Sequence, residues 1–78
     1  MRGHLLIVED DAALNFALET HFSELGYRVT GALTMADAWK QFTSMAPDVV
    51  LLDQKLPDGT GLELLGRLLE REPGLPVM

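Results

Sequence analysis

Leu5-Leu6-Ile7-Val8-Glu9-Asp10-Asp11 is an apolar run that breaks into three carboxylates, and Asp48-Val49-Val50-Leu51-Leu52-Asp53 repeats the pattern with a single aspartate at its end. Short apolar runs bounded by turn residues are the mark of strands buried on both faces of a parallel sheet. Ligands of such sheets bind beyond the carboxyl ends of the strands, where strand order reverses. Neighbouring strands lie about 4.8 Å apart, so if these two runs are neighbours, Glu9, Asp10 and Asp53 converge on one small volume. Like charges that close are costly unless a cation sits among them or a pKa rises. Oxygen-only donors carrying several negative charges select a hard cation such as magnesium. The expectation is an acidic metal pocket with Asp53 set apart on its own strand.

Working outward, the stretch between the two runs reads as helix, strand, helix. Asp11 or Ala12 starts a first helix, along which Leu14, Leu18, Phe22 and Leu25, with Ala17 beside them, form an apolar stripe. Gly26 supplies its left-handed stop. Residues 27–30, Tyr-Arg-Val-Thr, predict a short second strand. Thr34 with Asp37 three residues on resembles a capping box, and the helix behind it carries Ala38, Trp39, Phe42 and Met45 as far as Pro47.

Beyond Asp53, the segment 54–61, with Pro57, Asp58-Gly59 and Gly61, reads as a loop of turn residues. A third helix from about Leu62 to Arg71 is expected to bury Leu62, Leu65, Leu68 and Leu69 and to stop at Pro73-Gly74. Leu75-Pro76-Val77-Met78 looks like the opening of a fourth strand. Strands alternating with helices predict an open α/β domain. Right-handed crossovers with helices on opposite faces put the first strand between the second and third, with Asp10 beside Asp53.

The 78 residues amount to one small domain, and chains of this size bury only about 60% of their unfolded surface. An apolar content of 47% is ample for a core, and no stretch is long enough to span a bilayer. The start, Met1-Arg2-Gly3-His4, shows none of the features of a signal peptide. There is no cysteine, which removes thiolate metal sites and disulfides and fits a reducing compartment. Twelve acidic against six basic residues give a net charge of −6, which disfavours direct nucleic-acid contact by these residues.

Leu6 to Asp11, together with Asp48 to Asp53 and the following Leu56-Pro57 and Thr60-Gly61, resembles the receiver domains of bacterial two-component response regulators. The resemblance runs the length of the chain, and both motifs stand at the family's spacing. It implies a flavodoxin-like parallel sheet in the order 2-1-3-4-5. It also implies that Asp53 accepts a phosphoryl group from a sensor histidine kinase, becoming 4-aspartylphosphate. Asp10 would bind magnesium directly, Glu9 mainly through water, and the backbone carbonyl of Lys55 would complete the protein's share of the coordination. A carboxylate is a workable nucleophile for that transfer, and magnesium screens its repulsion from the phosphoryl oxygens. Further implications are a cytoplasmic protein and a phosphoacceptor rather than a conventional enzyme. A DNA-binding output domain outside this chain is implied as well. Separately, an apolar third strand left at the sheet edge by a chain ending at Met78 favours pairing between two copies.

The family's phosphoryl-contacting Thr or Ser at the end of strand 4, and its Lys after strand 5, would lie beyond Met78. Residues 1–78 therefore read as a partial receiver: three strand-helix units and the start of strand 4. A dinucleotide-binding domain would need glycines where Glu9-Asp10-Asp11 stand. A phosphatase of the haloacid dehalogenase type would need a second aspartate at position 55, which is Lys. The remaining alternative is an interaction module with the receiver fold that is not phosphorylated. Among the other polar residues, Asp11 reads as a helix cap, Asp58-Gly59 as a plain turn, and His4 and His21 as structural or surface groups.

Overall fold

The computed structural model describes residues 3–53, 55, 56 and 58–78, with Lys55 described by its backbone alone. Gln54 and Pro57, both placed by the sequence in the loop after Asp53, lie outside the described residues. Three parallel strands, β1 (His4–Val8), β2 (Arg28–Ala32) and β3 (Val49–Leu52), form a sheet in the order β2-β1-β3. The two apolar runs are therefore neighbours, with Leu5 opposite Val49 and Val8 opposite Leu52. The last residues add a parallel segment on the far side of β3. Val50 N–H donates to Pro76 O at 3.0 Å and Met78 N–H to Val50 O at 2.9 Å, around a Val50–Val77 bridge.

Pleating sends alternate side chains of these strands to opposite faces. Leu6, Val8 and Val50 enter a core shared with Ala38 and Phe42 of α2 (Met35–Met45) and Leu64 and Leu68 of α3 (Gly61–Arg71). Ile7 and Leu51 turn the other way, toward Leu14 and Leu18 of α1 (Ala12–Glu24). Trp39 stacks on Phe42, ring centroids 5.7 Å apart, while the Arg67 guanidinium lies 4.6 Å over its ring and ties α3 to α2. The three helices are thus split between the faces as the right-handed crossovers require.

The helix ends follow from local chemistry. Asp11 caps α1, accepting from the N–H groups of Ala13 and Leu14 at 3.0 and 3.2 Å. Thr34 caps α2 through the Asp37 N–H at 3.1 Å, and Gly26, at φ 100°, closes α1 in the left-handed region as expected. At the end of α2 the non-glycine Ala46 takes that role at φ 47°, because Pro47 forbids the helix from continuing. His4 is structural. Its backbone N–H donates to Asp48 Oδ2 at 2.8 Å and its ring Nε2 pairs with Thr30 Oγ1 at 2.9 Å.

Four expectations need correction. The second strand begins at Arg28 and runs on to Ala32, because it pairs with β1 along its whole length. The segment 54–61 is not only a loop: β4 (Lys55–Leu56) pairs antiparallel with β5 (Gly59–Thr60), and Leu56 enters the core. In α3 the buried face is Gly61, Leu64 and Leu68, while Leu62 is 68% exposed and Leu65 and Leu69 are half-buried. The helix starts one residue earlier, at Gly61 behind its cap Thr60, and the face turned to the sheet is set from there. In α1, Leu14 and Leu25 are 45% and 47% exposed, Leu18 and Phe22 are half-buried, and the one residue fully buried is Asn15.

Asn15 explains the last departure. α1 begins at the carboxyl ends of β1 and β2, so its first turn lies against strand-end carbonyls that need donors. Asn15 Nδ2 donates to Glu9 O and to Ala32 O, both at 3.0 Å. Gly31 has no side chain, and any Cβ there would run into Asn15 and Glu19. Asn15→Ala leaves the Glu9 carbonyl without this donor, whereas Ala32 O keeps the Glu9 N–H. The variant is expected to lose about 1–3 kcal/mol, read as a lower urea midpoint with an unchanged m-value.

Candidate functional site

The carboxylates stand where β1 and β3 end. Asp53 N–H donates to Val8 O at 2.9 Å, and Glu9 N–H donates to Ala32 O at 3.0 Å. These bonds carry the sheet one residue past its last pleat and fix where both side chains begin. One carboxylate oxygen each from Glu9, Asp10 and Asp53 lies within 4.8 Å of the others. Glu9 and Asp53 are half-buried and Asp10 is exposed. Even in water-like surroundings, two unit charges at that separation repel by about 1 kcal/mol.

Glu9 bears part of that cost. Its largest influence, the Asp11 backbone N–H donating to Oε2 at 3.0 Å, pulls its pKa down. Burial and the neighbouring Asp10 and Asp53 carboxylates outweigh that pull and raise the Glu9 pKa above its ordinary value. Asp11 itself is spent on the helix cap and stands outside the cluster.

The sequence named Glu9, Asp10, Asp53 and Lys55. The structure brings the first three together and places Lys55 two residues beyond Asp53, at the start of β4. Chemically the cluster is a set of hard oxygen donors with no nitrogen or sulfur among them, which suits magnesium. A wider, open trough lined by Glu19, Tyr27, Arg28 and Thr30 lies at the amino ends of the strands, away from these carboxylates. Sequence reasoning missed Asn15, which is bonded to the Glu9 carbonyl, and the partners of Asp58, the Met35 and Ala36 amides.

Residues 5–78 match the family model described as the response regulator receiver domain. The chain is 34% identical over 77 residues to the DNA-binding transcriptional regulator NtrC of Escherichia coli K12, covering 99% of this chain and 16% of that protein. The non-phosphorylated HemR receiver domain from Leptospira biflexa superposes with a TM-score of 0.92 at 36% identity, over 97% of this chain and 61% of that one. TrrA from Thermotoga maritima, solved in complex with Mg(2+)-BeF, gives a TM-score of 0.90 at 28% identity, over 95% of this chain and 64% of that one. TrrA in complex with the histidine kinase ThkA gives 0.88 at 28% identity, with the same coverage. The chain therefore spans under two thirds of the length of each of these relatives.

Proposed function

We propose that this chain, which belongs to the response regulator receiver domain family, accepts a phosphoryl group on Asp53 from a sensor histidine kinase. The observation that carries this reading is the convergence of Glu9, Asp10 and Asp53 within 4.8 Å at the ends of adjacent parallel strands. In the transfer, an Asp53 carboxylate oxygen bonds to phosphorus as the phosphorus–nitrogen bond of a phosphohistidine breaks. The imidazole keeps that electron pair and takes up a proton, and Asp53 becomes an acyl phosphate. The chain thus acts as a phosphoacceptor that assists its own modification rather than as a conventional enzyme. Residues 1–78 correspond on this reading to the part of the receiver that carries the acidic site.

Glu9, Asp10, Asp53 and the Lys55 backbone carbonyl are the groups that would hold magnesium, with Glu9 acting mainly through water. When bound, the ion neutralises charge on the phosphoryl oxygens. Support comes from TrrA, solved both with Mg(2+)-BeF and with a histidine kinase. NtrC, whose name describes a DNA-binding transcriptional regulator, supports an output domain outside these residues. The proposed setting is the cytoplasm, and no helix among the described residues is long and apolar enough to cross a membrane.

The test is incubation of the full-length protein with acetyl phosphate and magnesium, followed by peptide mapping. A hydroxylamine-sensitive phosphoryl group on the peptide containing Asp53, dependent on magnesium, is the expected result. Absence of any label would leave a receiver-fold interaction module as the function. For the metal, Asp10→Ala removes a direct ligand. Loss of outer-sphere partners alone typically costs about 10–100-fold in metal affinity, so the variant should bind magnesium at least that much more weakly. Titration followed by Trp39 fluorescence or amide shifts reads this, and an undiminished response would refute the assignment.

A further inference from the structure

Asp58 does more than make a turn. Its Oδ1 accepts from the Met35 N–H at 2.7 Å and its Oδ2 from the Ala36 N–H at 3.1 Å, across 23 and 22 residues of sequence. These are the first two amides of α2, which have no acceptor within the helix. The third, Asp37 N–H, is already taken by the helix's own cap, Thr34. The Met35 and Ala36 amides hold the Asp58 carboxyl below the ordinary aspartate range.

A Cβ added at Gly59 would collide with the Met35 sulfur, so the residue after Asp58 lies directly against the start of α2. The segment that begins at Asp53 is therefore pinned at four points. Asp53 N–H is bonded to β1, and Leu56 is buried in the core. Asp58 grips α2, and Thr60 caps α3 through the Glu63 N–H at 3.2 Å. Lys55 lies between the first two anchors, paired with Thr60 across the β4–β5 hairpin.

We infer that Asp58 is a positioning residue for the phosphoacceptor site, clamping the β4–β5 hairpin to α2 so that the Lys55 carbonyl is held in place for the metal. The inference rests on the proposed function of Asp53. A clamp of this kind fixes the geometry of a ligand supplied by the main chain, which no side chain of that residue can correct. Its removal frees the hairpin from α2 while leaving the three carboxylates of the cluster in place.

The experiment compares Asp58→Ala, Asp58→Asn and Thr34→Ala in the full-length protein, with magnesium titration and the acetyl phosphate labelling rate as readouts. Thr34→Ala is the control. It weakens the same helix end and should lower thermal stability, yet it does not touch the hairpin. Asp58→Ala should lower magnesium affinity by about tenfold, the lower range for an outer-sphere partner, and slow labelling at sub-saturating magnesium. Saturating magnesium should restore most of the rate. Asp58→Asn, which keeps one of the two oxygen acceptors, should recover part of the affinity, and Thr34→Ala should leave it unchanged. Unchanged affinity in Asp58→Ala, or an equal loss in Thr34→Ala, would overturn the clamp while the wild type still labels on Asp53. A wild type that neither binds magnesium nor labels would overturn the proposed function, and the clamp with it.

Discussion

Asp53→Asn should reduce phosphoryl labelling of the full-length protein to background, with kinase or acetyl phosphate as donor, while the fold stays intact. The amide is nearly the same size as the carboxylate but offers no anionic oxygen for attack on phosphorus. The Asp53 backbone bond to Val8 O does not involve the side chain and survives the change. The variant also removes two of the three like-charge pairs in the Glu9, Asp10 and Asp53 cluster. Without magnesium it should therefore be slightly more stable than the wild type, by about 1 kcal/mol at low ionic strength, and the gain should fade as salt screens the pairs. Two measurements decide the matter: peptide mapping of the label, and denaturant unfolding at low and high salt. Wild-type labelling in Asp53→Asn would remove Asp53 as the acceptor. A large loss of stability would show that its side chain is structural instead.

The position of this site was legible because it depends on few steps. Two apolar runs ending in carboxylates, joined by two right-handed crossovers through β2, become adjacent strands in the order β2-β1-β3. Asp10 and Asp53 then meet whatever the details of the helices. Local rules also placed the caps at Asp11 and Thr34, since a cap is a contact between residues two or three apart. The roles of these carboxylates came from the family resemblance and not from spacing.

What escaped the sequence depends on distant partners. Asn15 carries no motif of its own, and its burial follows only from the start of α1 lying against the carboxyl ends of β1 and β2. Asp58 reads locally as a turn residue, because its two donors are more than twenty residues upstream. The phase of α3 was ambiguous for another reason. Leucines occupy both the expected 62/65/68/69 positions and the observed 64/68 positions, which share only the buried Leu68, so periodicity alone cannot choose between them. The start at Gly61 behind Thr60 decides it.

Expressed as a separate polypeptide, residues 1–78 should self-associate. On the α1 side of the sheet, Leu14 is 45% exposed, and with Leu18 it borders an open groove floored by Ile7 and the half-buried Leu51. On the other flank Leu62 and Met78 are 68% and 65% exposed, beside Leu65 and Val77. Contiguous apolar surface of this kind on a small domain marks an association site. The segment after Pro73 adds to it. Pro76 and Met78 spend their backbone bonds on β3, which by strand alternation turns the N–H and C=O of Val77 outward. A short apolar edge with no charged side chain is a template for pairing with a second copy. Sedimentation velocity should show mass rising with concentration, and Tm should rise with it. At about a hundred times the dissociation constant, association adds about 2.7 kcal/mol, on the order of 10 °C in a domain of this size. Leu14→Glu places a charge at the groove from an already exposed position and should weaken association without unfolding the chain. A monomer at every concentration, with one cooperative and concentration-independent transition, would show that these surfaces are too small to bind each other.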